Sequence, residues 1–312
     1  MKNARIVAIG LAAVAVAGAA VGCGGSSSDS DLSGSIAIDG SSTVAPLSIA
    51  AADAFNGDNP NVDIKVGTSG TGGGFEKFCA GTTDISDASR AIKDEETAAC
   101  EKGGVKFVEL RVASDGITVV AKKDTDLGKQ CITLPELKSV WEKTSKIDNW
   151  SQIGAGWNDV PLKLAGPGDQ SGTFDFFNEE VLGEDAGGDV AQPRQFSSSE
   201  DDNVIVTAVE GTEGTMGYFG FTYFEENASR LQSLAVKGDG DCVEPTAESI
   251  TAGDYPLSRP LFLYVNTAAL ERPEVTAFVK YYLENAVSIA EDNQFVPAPQ
   301  DSLDESLGKL PA

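Results

Sequence analysis

The chain has 312 residues, of which 23 are basic and 48 acidic, so its formal net charge at pH 7 is −25. A surface this acidic repels nucleic acid and anionic lipid, which excludes both as general partners. The sequence contains no histidine, so a Ser-His-Asp triad is excluded and a zinc site is not expected. A small anion can still bind inside a cleft, because exposed charges are screened over about 8 Å at physiological salt.

Residues 1–22 are typical of a lipoprotein signal peptide. Lys2 and Arg5 precede an uncharged run over residues 6–21, which is shorter than the roughly 20 residues that cross a bilayer comfortably. Small residues then lead to Cys23, whose thiol would take up lipid and become the new N-terminus. An uncleaved anchor is the alternative, since Ala20 stands where leucine is commoner. Both interpretations place the rest of the chain outside the cytoplasm.

Residues 23–33 are rich in Gly, Ser and Asp, which predicts a flexible tether. Four more cysteines follow, and an even number in an oxidising compartment predicts two disulfides. Of the three pairings, we favour Cys79 with Cys100 and Cys131 with Cys242. Free buried thiols are the alternative.

From Gly34 onward, patterns typical of short strands alternate with patterns typical of helices. Strands are predicted at residues 35–38, 62–66, 105–111, 116–121, 162–165, 216–219 and 260–265. Helices are predicted at residues 44–55, 133–143, 171–182, 202–210 and 273–287. Ser42 or Thr43 is the expected N-cap of the first helix, and Thr133 with Glu136 forms an expected capping box. The alternation predicts an α/β protein with mostly parallel sheets.

Three loops rich in Gly, Ser and Thr each join a predicted strand to a helix, at residues 39–44, 67–74 and 166–173. A helix N-terminus offers unpaired N–H groups and about half a positive charge. One such loop would be an ordinary cap and turn, but three in one chain predict an anion site. None of them matches the common glycine-rich nucleotide motifs.

These loops and their neighbours resemble the PstS-type phosphate-binding proteins of ABC importers. The segments that carry the resemblance are GSSTVAPL (40–47), GTGGG (70–74), TDISDASR (83–90), DQSGTF (169–174), EDDN (200–203) and GTMGYFG (214–220). They occur in the expected order over nearly all of the mature chain. The resemblance implies a two-lobe periplasmic-binding-protein-like clamp, in which each lobe is a mostly parallel sheet flanked by helices and the anion lies in the cleft.

The same resemblance implies the lobe boundaries. The first lobe would hold residues 34–113 and 259–312, and the second residues 114–258. The chain would cross between them at residues 113–116 and return at 255–260, as hinges that absorb backbone rotation. The alternative is that both segments are ordinary loops.

Phosphate contacts are implied on both sides of the cleft. The first lobe would contribute Thr43, the N–H of Val44, Thr71 and the backbone of Gly72, with Ser69 as an adjacent candidate. The second lobe would contribute Ser171, Gly172 and Thr173.

The chain departs from the family pattern at two positions. Pro167 stands where many relatives have an arginine, and Ser89 where many have an aspartate. Arg90 is the expected substitute cation, because a guanidinium matches two phosphate oxygens at once. The alternative for Arg90 is an ion pair with a nearby aspartate, Asp84, Asp87 or Asp94.

A carboxylate in the site would select for phosphate. Hydrogen phosphate carries a proton at neutral pH, whereas sulfate offers no donor to a buried carboxylate. The candidate acceptors are Asp169, Asp87, Asp201 and Asp202. Asp169 could instead orient Arg90 or cap a helix, and the run at 200–203 could simply be an acidic helix start.

These features predict an extracytoplasmic, lipid-anchored, monomeric receptor that binds inorganic phosphate and delivers it to the permease subunits of an ABC importer. It would need no cofactor or metal and catalyse no reaction, and only its lipid anchor would contact the membrane. The alternatives are a receptor for sulfate or molybdate and an extracellular serine esterase or phosphatase. The hydrolase is disfavoured because Gly-x-Ser-x-Gly is absent around Ser69 and Ser171.

Overall fold

Two long strands run in opposite directions through the middle of a mixed sheet. The computed structural model describes residues 32–168, 171–183 and 196–311. The predicted signal peptide, Cys23 and Asp169 lie outside these ranges. Within them, no helix combines the length and the apolar character that crossing a membrane requires.

Strands and helices alternate along most of the described chain, as predicted. The strands are β1 Gly34–Gly40, β2 Val62–Gly67, β3 Ile85–Ala88, β4 Phe107–Lys122, β5 Cys131–Thr133, β6 Lys163–Gly166, β7 Phe196–Ser198, β8 Thr215–Gly220, β9 Leu231–Ser233, β10 Ala235–Lys237, β11 Cys242–Val243, β12 Ser258–Asn266 and β13 Val296–Pro297. The helices are α1 Ala45–Asp58, α2 Gly70–Cys79, α3 Asp94–Gly103, α4 Leu134–Trp141, α5 Gly172–Phe177, α6 Asp202–Gly211, α7 Phe221–Asn227, α8 Ala247–Ala252, α9 Pro273–Glu284, α10 Ala286–Asp292 and α11 Gln300–Gly308.

The main sheet has the order β2-β1-β3-β12-β4-β8-β6-β7, and β9 and β13 also pair with β4. On one side of the sheet, β1 runs parallel to β2 and to β3. On the other side, β6 runs parallel to β7 and to β8. The pairs made by β4 or β12 are antiparallel. The predicted α/β class is correct, but the sheet is mixed because the two central strands carry the chain out and back.

Two large apolar cores lie along the sheet. One draws its buried residues from 36–113 and 261–303, including Phe55, Phe278 and Tyr282. The other draws its buried residues from 117–257, with Val296 added from β13. The membership changes on β4 between Ala113 and Ile117, so the side chains on either part of this strand pack in different cores.

The first predicted crossing, at residues 113–116, is part of a strand and not a loop. The structure has one 16-residue strand, β4, where the sequence predicted two separate strands. Ser114 and Asp115 are buried and pair with Pro260 and Arg259 of β12. Buried backbone groups need hydrogen-bond partners, and β12 supplies them here, so the strand continues. In the second crossing, at 255–260, the strand begins at Ser258.

Several helix ends differ from the prediction. Helix α1 has Val44 at its N-cap without a side-chain cap, so neither Ser42 nor Thr43 caps it. Helix α2 begins at Gly70, so its glycines are helical and not part of the loop. The predicted helix 273–287 is interrupted at Asn285. These differences arise from tertiary contacts that local propensity does not contain.

Both favoured disulfides are present. Cys79–Cys100 joins α2 to α3, and Cys131–Cys242 joins β5 to β11 over a sequence separation of 111 residues. The second bridge closes the small sheet β11-β10-β5.

The predicted capping box of α4 is confirmed. Thr133 Oγ1 accepts from the Glu136 N–H at 3.1 Å, and Glu136 Oε2 accepts from the Thr133 N–H at 2.8 Å. We expect Thr133→Ala to lower the free energy of unfolding by about 1 kcal/mol in urea titrations. Thr207→Ala is the matched control, because among the described residues that hydroxyl donates only to the Asn203 carbonyl within α6. Equal losses in the two variants would contradict the capping role.

Candidate anion-binding site

The first two glycine-rich loops lie against each other at the carboxyl ends of β1, β2 and β3. Gly40 has φ +150°, and a Cβ there would lie 2.1 Å from the Asp87 carbonyl oxygen. A Cβ on Gly74 would lie 2.5 Å from the Gly40 Cα. The Ser41 N–H donates to the Asp87 carbonyl at 2.9 Å. Glycine at these positions therefore lets the start of α2 approach β1 and β3 closely.

Thr71, at the start of α2, contacts the segment that follows β3. Its Oγ1 lies 3.0 Å from Ser89 Oγ and accepts from the Ser89 N–H at 3.2 Å. Ser89 is half-buried. The hydroxyls of Thr71 and Ser89 therefore form a neutral hydrogen-bonded pair beside the start of α2.

Ser69 is bonded to Asp39 at the end of β1. Its N–H donates to Asp39 Oδ1 at 3.0 Å, its hydroxyl donates to the same oxygen, and Lys77 Nζ lies 2.6 Å from Oδ2. Burial raises the pKa of Asp39, but hydrogen bonds from Lys77 and Ser69 outweigh it and leave the pKa below its usual value. The hydroxyl of Ser69 is thus committed to Asp39.

Arg90 forms a bidentate ion pair with Glu96, a residue outside the predicted set of aspartate partners. Nη1 and Nη2 each lie 2.8 Å from a Glu96 oxygen. The guanidinium also lies beside the second loop, since a Cβ on Gly72 would be 3.9 Å from Nη2. Burial opposes ionisation of Glu96, yet the hydrogen bond from Arg90 leaves its pKa lowered. Much of the hydrogen-bonding capacity of Arg90 is therefore used by Glu96.

The third loop meets the first. Ser171 is the N-cap of α5, and its Oγ accepts from the Thr173 N–H at 3.2 Å. A Cβ on Gly172 would lie 2.6 Å from Thr43 Oγ1 and 3.2 Å from Thr43 Cα. Thr43 and Gly172, which are far apart in sequence, are thus brought into direct contact. Val44, fully buried, directly precedes α1.

Arg259, on β12, is the residue at this junction that sequence reasoning missed. Its Nη2 donates to Thr43 Oγ1 at 2.7 Å and to the Gly172 carbonyl at 3.2 Å. Its Nε and Nη2 also donate to Asp115 Oδ2, each at 3.2 Å, and its guanidinium carbon lies 3.9 Å from the Phe176 ring centroid. The available signal was a lone charged residue next to an apolar strand, because arginine is almost never buried unless it is paired.

The candidate proton acceptors lie in different environments. Asp87 is fully buried and accepts from Ser48 Oγ of α1 at 3.0 Å. Burial raises its pKa to about 8, so at pH 7 it is mostly protonated and is poorly suited to accept a proton from the ligand. Asp201 caps α6 by accepting from the Asn203 N–H, as expected for an acidic helix start. Burial, with Asp201 and Glu200 nearby, raises the pKa of Asp202 to about 6.

The chain is similar to known proteins over most of its length. The model of the PBP superfamily domain matches residues 25–286. Phosphate-binding protein PstS of Staphylococcus saprophyticus is 39% identical over 293 residues, covering 93% of this chain and 89% of the relative.

Two solved structures share the α/β two-lobe clamp fold. A possible phosphate binding protein from Planctomyces limnophilus is 40% identical, with a TM-score of 0.83 over 89% of this chain and 98% of the other. A putative phosphate ABC transporter substrate-binding protein from Clostridium perfringens, solved with bound phosphate, is 29% identical, with a TM-score of 0.56 over 85% and 100% of the two chains. The chain therefore belongs to the PBP superfamily and, within it, to the family of PstS phosphate-binding proteins.

Proposed function

We propose that this protein binds inorganic phosphate outside the cytoplasm and delivers it to the permease of an ABC importer. The observation that carries the proposal is the meeting of Thr43 and Gly172, which joins the loop before α1 to the loop before α5. The first turns of α2 pack on the first of these loops through Gly74, which lies against Gly40. Helix N-termini placed together in this way form an anion site made of neutral donors.

The proposed ligand set follows the three loops. The first-lobe residues are Thr43, Val44, Thr71 and Gly72, and the second-lobe residues are Ser171, Gly172 and Thr173. Micromolar affinity corresponds to about 8 kcal/mol, and hydrogen bonds to a charged group contribute roughly 1.5–3 kcal/mol each. Seven such donors are enough even when desolvation and lobe closure oppose binding.

The proposed lobes are residues 34–113 with 259–312, and residues 114–258. The two apolar cores support this division, since their membership changes on β4 between Ala113 and Ile117 and near the start of β12. The first crossing lies within β4 and the second enters β12 at Ser258, where the two strands pair. Closure would therefore bend or twist β4 and β12 where they pair, with β13 alongside β4 at Ala113 and Ser114, and a large rearrangement of loops would not be needed.

The cellular setting is also part of the proposal. The signal-like start of the chain and Cys23 support a protein anchored by lipid on the outer face of the cell membrane. The two disulfides support an oxidising compartment. The protein would act as a monomer that docks on permease subunits, and it would bind phosphate without turning over a substrate.

Calorimetric titration of the purified mature chain at pH 7 tests the function. We expect phosphate to bind with micromolar or tighter affinity, and a large excess of sulfate or molybdate to leave it bound. Ser171→Ala should weaken binding about tenfold by removing one donor and the α5 cap. Ser288→Ala is the control, because in the part of the chain that the structure describes this exposed hydroxyl donates only to the Asn285 carbonyl.

Two results would contradict the proposal. Displacement of phosphate by sulfate or molybdate would favour a receptor for another oxyanion. Steady hydrolysis of a chromogenic phosphate ester would favour the extracellular hydrolase.

A further inference from the structure

Arg259 occupies an unusual position, where one buried cation touches both proposed lobes. Only 9% of its side chain is exposed. Burial lowers the pKa of this guanidinium while Asp115 opposes that change, and an arginine stays charged at neutral pH in either case. A buried charge of this kind is costly unless it is paired and hydrogen-bonded. The residues that pair with Arg259 therefore indicate its role.

Those partners fix the guanidinium in place and aim it at the two loops. Asp115 on β4 accepts from Nε and Nη2, and the ring of Phe176 on α5 lies against the planar group. Nη2 then bridges Thr43 Oγ1 and the Gly172 carbonyl. In the described part of the chain, all four hydrogen bonds of Arg259 leave from Nε and Nη2, so Nη1 is the nitrogen that it can offer to an anion.

Arg90, the cation predicted from the sequence, is held differently. Glu96 takes both of its terminal nitrogens in a bidentate pair at 2.8 Å. An anion beside Arg90 would have to share the guanidinium with that carboxylate and with the Ala91 carbonyl, which accepts from Nη1 at 3.1 Å. Arg259 meets no such competition at Nη1 from the residues that the structure describes, and it already touches Thr43 and Gly172.

We propose that Arg259 is the cation that contacts phosphate in the binding site, and that it also holds the two lobes together in the closed form. This inference rests on the proposed function. Nη2 holds Thr43 of one lobe to Gly172 of the other, while Nη1 donates to a phosphate oxygen. Asp115 and Phe176 are positioning residues that hold the guanidinium group of Arg259 in this orientation. The bridge exists only when the two loops meet, so its loss speeds ligand release more than it slows capture.

The test compares Arg259→Lys with Arg90→Lys, since lysine keeps the positive charge but lacks the planar guanidinium with its several N–H donors. We expect Arg259→Lys to weaken phosphate binding by at least about 30-fold, chiefly through a faster dissociation rate in stopped-flow measurements. Arg90→Lys should stay within about threefold of the wild type. Far-UV circular dichroism and thermal unfolding establish that each variant is folded.

Thr43→Val gives an independent measurement that leaves Arg259 and Asp115 in place. It removes the hydroxyl that accepts from Nη2 at nearly constant volume. We expect its loss of affinity and that of Arg259→Lys to be strongly non-additive in the double variant, as for two partners in one interaction. Asp115→Asn should also raise the dissociation rate, because it frees the guanidinium from its anchor.

The outcomes separate this inference from the proposed function. A wild-type chain that fails to bind phosphate overturns both. A wild-type chain that binds normally, with Arg259→Lys unchanged in affinity and dissociation rate, overturns the proposed role of Arg259 alone. A large loss confined to Arg90→Lys would also overturn it and return the cationic role to Arg90.

Discussion

Replacing Gly172 by alanine is expected to weaken phosphate binding by roughly 5- to 150-fold without lowering thermal stability. A Cβ at this position would lie 2.6 Å from Thr43 Oγ1 and 3.2 Å from Thr43 Cα. Thr43 cannot easily rotate away, because its hydroxyl accepts from Arg259 at 2.7 Å. Forcing an extra carbon into a packed contact costs about 1–3 kcal/mol, which corresponds to the stated range in an equilibrium constant.

The effect should fall on closure and not on folding, because the contact joins two proposed lobes. An open form avoids the clash, and alanine in the first turn of α5 is a better helix former than glycine. Gly211→Ala is the matched control, since within the described ranges a Cβ there would meet no heavy atom within 4 Å beyond its chain neighbours and its own helix backbone. Small-angle scattering should show that phosphate compacts the wild type and this control more than Gly172→Ala. Equal affinity in all three proteins would contradict the proposed closure.

Asp87→Asn is expected to stabilise the protein at pH 8 by a few kcal/mol, and to do so much less at pH 4. Asp87 is fully buried, its Oδ2 has no hydrogen-bond partner within the described chain, and Ser48 donates to its Oδ1. Burial raises its pKa to about 8, Ser48 opposes the shift, and Asp39 adds to it. Folding at neutral pH therefore requires this carboxyl to take up a proton.

The direction of the pH effect follows from this linkage. Unfolded, the carboxyl ionises near its usual pKa of about 3.9, whereas folded it stays protonated up to about pH 8. The folded state binds more protons in that window, so wild-type stability falls as pH rises from about 4 to about 8. Asparagine does not titrate, and the variant loses that component of the slope.

Urea titrations across the acidic, neutral and mildly alkaline range, on the wild type and Asp87→Asn, measure the difference. The other groups near Asp87 do not produce it, because burial keeps the hydroxyl of Tyr282 protonated across the window and Asp39 has a lowered pKa. Asp63→Asn is the control, since that side chain is 62% exposed. Parallel stability curves for the wild type and Asp87→Asn would show that Asp87 is ionised in the folded protein.

Several elements follow from residues that are close together in the chain. The alternation of Val62, Ile64 and Val66 predicted β2, and Thr133 with Glu136 predicted the start of α4, because both patterns depend on near neighbours. The even number of cysteines and the signal-like start predicted two disulfides, and the favoured pairing is correct. Glycine-rich loops before three helices predicted an anion site, since unpaired N–H groups at a helix start are a local property.

Contacts between distant segments decided the rest. Whether residues 113–116 form a turn or a strand depended on β12, more than 140 residues later, whose backbone pairs with theirs. By contrast, the partner of Arg90, Glu96, is only six residues away in the first turn of α3, so that ion pair is local. The sequence alone did not predict the contacts of Arg259, because the residues that surround it come from separate places in the chain. They are Thr43, Asp115, Gly172 and Phe176.

The amino-acid pattern predicts the kind of site. It places neutral backbone and hydroxyl donors at helix starts in an acidic chain without histidine. Which cation lies at their junction depends instead on the packing of β12 against β4 and α5. Burial and pairing are set by segments that meet in space, and a buried charge is stable only where those segments supply its hydrogen-bond partners.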